Sequence, residues 1–176
     1  MRRAIGLVML LALCGPAIAQ QPYAGMDTRT IKTLSGQQIA DLKAGRGMGL
    51  ALAAELNGYP GPSHAIEFKA RLGLSADQVA RLQELFAAMK AEAIPLGASL
   101  IAPELALNED FAKRTVTPAS LETATQKIGA TQATLRAAHL KYHLSTVAIL
   151  TADQVARYNA LRGYGGQHKA PVHHHK

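Results

Sequence analysis

His139 and His143 stand four residues apart in the segment HLKYH. On a helix that spacing stacks two imidazoles on one face. Two neutral imidazoles are half of a zinc-type site, and the other ligands would come from a second element, the tail or water. The opposing expectation is that both rings lie between two apolar stripes, buried and hydrogen-bonded without a metal. Near the C-terminus, His168, His173, His174 and His175 form a second cluster. Such clusters bind Zn2+, Cu2+ or Ni2+ loosely. His64 and Glu67 follow the turn YPGP at i, i+3 spacing and are two further candidate ligands, or simply polar residues opening an exposed helix. Met26, Met48 and Met89 are soft donors of the kind Cu(I) takes, although scattered methionines more often fill core gaps. Coordination by any of these histidines weakens as pH falls through about 6.5, because the ring must be neutral.

Catalytic chemistry finds little to work with. The single cysteine is Cys14, and no G-x-S-x-G sequence occurs. The glycines of GRGMG, residues 45–49, lack the G-K-[ST] of a phosphate loop and a preceding strand. Glu104, Glu109 and Asp110 gather near an expected loop without a partnering base. The chain reads as a non-enzyme that requires no cofactor.

The elements that must hold these residues are helices. The phrase L-[ST]-A-D-Q-V-A-R occurs twice, at Leu74–Arg81 and Leu150–Arg157. Ser75 with Gln78, and Thr151 with Gln154, have the layout of a capping box, with Leu74 and Leu150 in front as halves of a hydrophobic staple. A looser copy begins at Leu34-Ser35 and places Gln38 in the same role. Asp77 and Asp153 suit the positive end of a helix dipole.

These starts predict a helix after Ser35, kinked by Gly45, Gly47 and Gly49 and resuming over 50–56. A short helix over 63–72 follows the turn. A long one runs over 75–108, disturbed at Pro95 and Pro103. Thr117-Pro118 opens another, to about residue 149, and the last spans 151–162. In the helix from Pro118, Leu121, Ile128, Leu135, Tyr142 and Ile149 recur every seven residues, with Ala124, Thr131, Ala138 and Ser145 three further on. That is a seam against another long helix, approached closely across small residues. Leu140, Leu144 and Val147 add a second stripe, which asks for a further neighbour such as a second chain.

Arg2 and Arg3, the apolar run from Ala4 to Leu13, and Ala17-Ile18-Ala19 have the pattern of a secretory signal peptide cleaved after Ala19. The run is too short to remain as a membrane span, so no transmembrane helix is expected after cleavage. Cys14 raises lipid attachment as a rival, with Leu13 before it larger than that processing favours. The expected organisation is a signal peptide over 1–19, an N-terminal extension over 20–33, a helical domain over 34–163 and a flexible His-rich tail over 164–176. The formal charge of +7 is spread among mixed acids and bases, without tryptophan or a basic run. Nucleic acid is therefore not an expected partner, while anionic polypeptides or headgroups are attracted weakly.

The paired L-[ST]-x-x-Q phrases, on an all-helical chain with an export signal, resemble the LTxxQ-motif periplasmic proteins of the Spy/CpxP family. The stretch GRGMGLALAAELNGYPGPSHAIE, 45–67, resembles the members described as periplasmic heavy-metal sensors and zinc-resistance-associated proteins. The resemblance spans roughly residues 34–163. It implies an all-α fold: a bent long helical hairpin with short flanking helices, paired as an antiparallel homodimer in a shallow cradle. It also implies ATP-independent, chaperone-like binding of unfolded or envelope proteins in the periplasm, with a sensor kinase as a further partner in the stress adaptors. The alternative it offers is heavy-metal binding of the zinc type. The LTxxQ positions carry over as structural caps. Partner-binding residues do not carry over, and the glycines at 45–49 with Pro95 and Pro103 depart from the pattern.

Overall fold

A computed structural model describes residues 22–164. They are all-α, with one isolated bridge between Ile31 and Leu34. Seven helices follow a 3-10 turn at Met26–Thr28: α1 (Gly36–Lys43), α2 (Leu52–Glu55), α3 (Pro62–Glu67), α4 (Lys69–Leu72), α5 (Ala76–Lys113), α6 (Pro118–Val147) and α7 (Ala152–Arg162). The segment expected to be a signal peptide, 1–19, and all four tail histidines lie outside the described residues.

The expected caps are present. Ser35, Ser75 and Thr151 each accept the backbone N–H of Gln38, Gln78 and Gln154, and each glutamine accepts the cap's own N–H in return. Thr117 and Ser120 form a fourth such box spanning Pro118.

α5 and α6 pack along one another with antiparallel register. Gln78 reaches the Ile149 carbonyl at one end, and Glu92 takes bonds from Lys141 and Tyr142 near the middle. The heptad seam of α6 supplies Ile128 and Leu135 to the main core, with Leu42 from α1 and Ala93 and Leu100 from α5. Leu121, at the end of the seam, is 37% exposed. Gly97 lets α1 lie directly on α5: a Cβ there would stand 2.8 Å from the carbonyl carbon of Leu42.

Three expectations are corrected. α5 is continuous through Pro95 and Pro103 and ends at Lys113 rather than near Asn108. Each proline removes one hydrogen bond to the carbonyl four residues back. Those carbonyls belong to Ala91 and Ser99, residues on the exposed side of the helix, where solvent can replace the lost bonds and the helix need not break. The glycine segment ends α1 rather than kinking it. Gly45 (φ 60°) and Gly49 (φ 81°) are left-handed, which a helix cannot carry, and only the single turn of α2 re-forms. The helix expected over 63–72 is two, α3 and α4, divided at Phe68 (φ −95°, ψ 13°).

The residues before α1 are docked. Asn108 on α5 accepts from the Lys32 N–H and donates to the Thr30 carbonyl, each at 3.2 Å, and Thr33 donates to buried Glu104 at 2.8 Å.

The repeated phrase has a role beyond capping. While each glutamine accepts from its own cap, their side-chain amides also meet. Gln78 donates to Gln154 Oε1 at 2.8 Å, and Gln154 donates back at 3.1 Å. Gln78 also donates to the Ile149 carbonyl and Gln154 to that of Gly73, at 3.4 Å. The two helix starts thus clasp one another over an apolar cluster of Ala65, Leu82 and Leu150. We expect Gln78→Ala and Gln154→Ala each to cost about 1–2 kcal/mol. The double variant should cost at least about 0.5 kcal/mol less than the sum, measured by urea unfolding. Strict additivity would mean the amides do not act together.

Candidate functional site

α6 carries His139 and His143 inward beneath the glycine segment and the YPGP turn. His139 is 2% and His143 8% exposed. Gly47 backs the His139 ring, and Gly61 lies so close to the His143 ring that a Cβ would stand 2.9 Å from Cε1. Pro60 and Pro62 are fully buried on either side of Gly61 and fix that approach. Small residues at 47 and 61 are what allow two imidazoles beneath this layer.

The tautomer of His143 follows from its partner. Nδ1 lies 2.6 Å from the Tyr59 carbonyl oxygen, which only accepts, so Nδ1 carries a hydrogen. His139 Nε2 is buried without a hydrogen-bond partner, a position a native interior rarely leaves empty. Burial foremost, and the neighbouring His143 next, hold the His139 pKa below its ordinary value, with Glu92 opposing.

The sign of the resulting pH effect is fixed. With the folded value depressed, the unfolded chain takes up this proton first as pH falls. Stability is therefore full above about 6.5 and declines below it until the folded ring itself titrates. We expect the urea midpoint to be lower at pH 5.5 than at pH 7.5. His139→Leu, which leaves no orphaned nitrogen, should flatten that slope. An unchanged slope would mean other groups govern it.

Beside the histidines sits a buried acid. Glu55 on α2 is 6% exposed. It accepts from the hydroxyls of Tyr158, in a short bond, and Tyr164, at 3.3 Å. It also accepts from the Gly61 N–H at 3.3 Å and pairs with Arg162 Nε at 3.4 Å. Burial, then the bond to this carboxylate, push the Tyr158 phenol well above its usual range. Both carboxylate oxygens are thus engaged, which makes Glu55 a structural hub. His64, His143, Glu55, Arg162 and Tyr164 share the lining of a cavity of about 220 Å³.

The structure thus brings His139 and His143 together. It pairs His64 with Glu67 at 3.1 Å on the surface. Among the described residues, no group of three or more His, Cys, Asp or Glu is arranged to hold a metal. Met89 is core, whereas Met48 is 41% exposed. Glu104 is bonded by Thr33, Glu109 by Lys113 and Asp110 by Thr115, so these acids serve local structure.

Sequence reasoning missed an apolar surface. Among the described residues nine large hydrophobics are exposed, and four of them, Met48, Leu52, Leu56 and Tyr59, fall within residues 48–59. The alternation of glycine with leucine and alanine there was the available signal: it shortens the helix and strands its apolar side chains outside. A second apolar face lies on α5, where Ala87, Ala91, Ile94, Ala98 and Ala102 are all exposed and fall on one side at helical spacing. By length and composition α5 is also apolar enough to cross a membrane, with 22% of its most apolar window buried. No protein-family model, curated protein or solved structure matches the chain.

Proposed function

We propose that this chain is an exported, periplasmic stress protein that binds apolar segments of unfolded or envelope proteins without ATP. The observation that carries the reading is the patch at residues 48–59: Leu52 and Leu56 are 53% and 56% exposed, flanked by Met48 and Tyr59. Concentrated exposed apolar surface marks a place where other chains bind. Here the segment is braced from beneath by the Glu55 network, so it is presented as a set surface. Weak contacts of this kind release without fuel, and the net positive charge speeds capture of acidic clients.

Leu52→Ser with Leu56→Ser should abolish suppression of client aggregation, followed by light scattering at equimolar ratio. The thermal melt should stay within a few degrees of the unaltered protein, because both side chains already face water. Suppression at full strength by a folded double variant would end this reading.

The apolar side of α5 supports a homodimer built from a long α5–α6 hairpin. Ala91→Glu with Ala98→Glu would then halve the mass in solution.

A second reading is metal handling, supported by the unpartnered Nε2 of His139 and the free Nε2 of His143. A ligating histidine typically ties its other nitrogen to a carbonyl, as His143 does with Tyr59. Zinc titration of His139→Ala/His143→Ala, and of a chain lacking residues 167–176, assigns any binding to the helical pair or to the tail.

A further inference from the structure

A cavity of about 540 Å³ lies between α1, the glycine segment, α5 and α6. It is within the range of pockets that enclose small molecules. Its floor is Leu42, Leu100 and Leu135, three side chains of the main core, so the opening leads onto apolar interior. Its α6 wall is Gly129, Gln132 and Arg136, which fall on one side of the helix at i, i+3 and i+7.

Two features of that wall need an explanation. The first is Gly129 itself. A glycine inside a helix costs about 1 kcal/mol relative to alanine. Gly97 on α5 repays that through its contact with α1, but a Cβ at Gly129 would meet nothing within 4 Å. Its backbone is ordinary right-handed helix, so neither packing nor conformation calls for glycine. What the missing side chain does is widen this opening. The second feature is Arg136. Its guanidinium makes no hydrogen bond or ion pair among the described residues, yet it is the single charged group on the lining.

We propose that this cavity binds a fatty-acid-type amphiphile, with the acyl chain on the leucine floor and the carboxylate against Arg136. A planar guanidinium matches a carboxylate through two parallel hydrogen bonds, and the leucines offer the chain an apolar bed. The site borders the 48–59 patch, with Met48 and Leu50 on its rim, but takes in neither Leu52 nor Leu56, and it does not depend on the chaperone reading.

The test is calorimetric titration of the full mature chain with dodecanoate below its micelle concentration, where saturable one-to-one binding is expected. Gly129→Leu projects a side chain into the opening and should weaken binding at least tenfold. Leucine is the better helix former, so the variant should melt no lower than the unaltered protein. Ala133→Phe, which closes the same opening from the next turn, should act alike. Arg136→Gln should weaken dodecanoate roughly tenfold, one charge-assisted hydrogen bond, and leave dodecanol unchanged. Failure of the unaltered protein to bind, or unaltered binding by Gly129→Leu and Ala133→Phe, overturns the proposal. Equal losses for acid and alcohol in Arg136→Gln overturn the placement of the head group. Aggregation suppression by Gly129→Leu should be unchanged, which separates this site from the client surface.

Discussion

Tyr158→Ala is expected to cost about 4 kcal/mol, enough to leave α7 undocked. The side chain is fully buried and meets Phe68 edge-on at 6.0 Å and 74°. Removing a buried aromatic ring typically costs about 3–5 kcal/mol, because the cavity collapses only partly. Here a second loss adds to the first. The Tyr158 hydroxyl donates to Glu55, so the truncation also leaves a buried carboxylate one donor short. Tyr158→Phe separates the two effects. It keeps the ring and should cost about 1.5–3 kcal/mol for a bond to a charged group. Guanidinium unfolding with an unchanged slope measures both. A cost below about 1.5 kcal/mol for the alanine variant would mean α7 does not anchor on this network.

The same substitution at two glycines should have opposite signs. Gly97→Ala should destabilise by a net of about 1–2 kcal/mol, because the new methyl meets the carbonyl of Leu42. That neighbour is backbone, which cannot rotate away, so α1 must shift off α5 or the helices must part; overpacking typically costs about 1–3 kcal/mol. The better helix propensity of alanine offsets about 1 kcal/mol of this at most. Gly129→Ala meets nothing and keeps that gain in full, stabilising by up to about 1 kcal/mol. Thermal melts of the two variants decide the matter. Equal shifts of one sign would mean that α1 does not rest on Gly97.

The helix starts were readable because a capping box is complete within four residues: Ser75 and Gln78 need nothing distant. The seam on α6 was readable because a seven-residue recurrence is local too. The path of α5 through two prolines was not, since its continuity depends on which side of the helix faces water, and that is decided by α1 and α6. The glycine segment read as a kinked helix because its leucines and alanines favour helix while the left-handed turns at Gly45 and Gly49 leave no apolar trace. At the histidines, the i, i+4 spacing gave the face, and burial between stripes was one of two expectations. The surroundings of His139 and the Tyr59 contact of His143 arise from segments more than 80 residues earlier. The Glu55 network had no local signal, because its tyrosines lie more than 100 residues further along the chain.

The glutamine clasp bears on how quickly the native state is reached. Gln78 and Gln154 are 76 residues apart, and an interaction across so long a loop is reached only after its closing entropy has been met. Helical proteins whose contacts are mostly neighbouring in sequence fold in microseconds to milliseconds. This one adds a closing step that joins the last described helix to the start of the longest. A chain still emerging from a ribosome would have α5 and α6 available before that step, with the seat for Tyr158 open. The assembly of the C-terminal helix onto its seat is thus the event that separates a partly formed chain from a finished one.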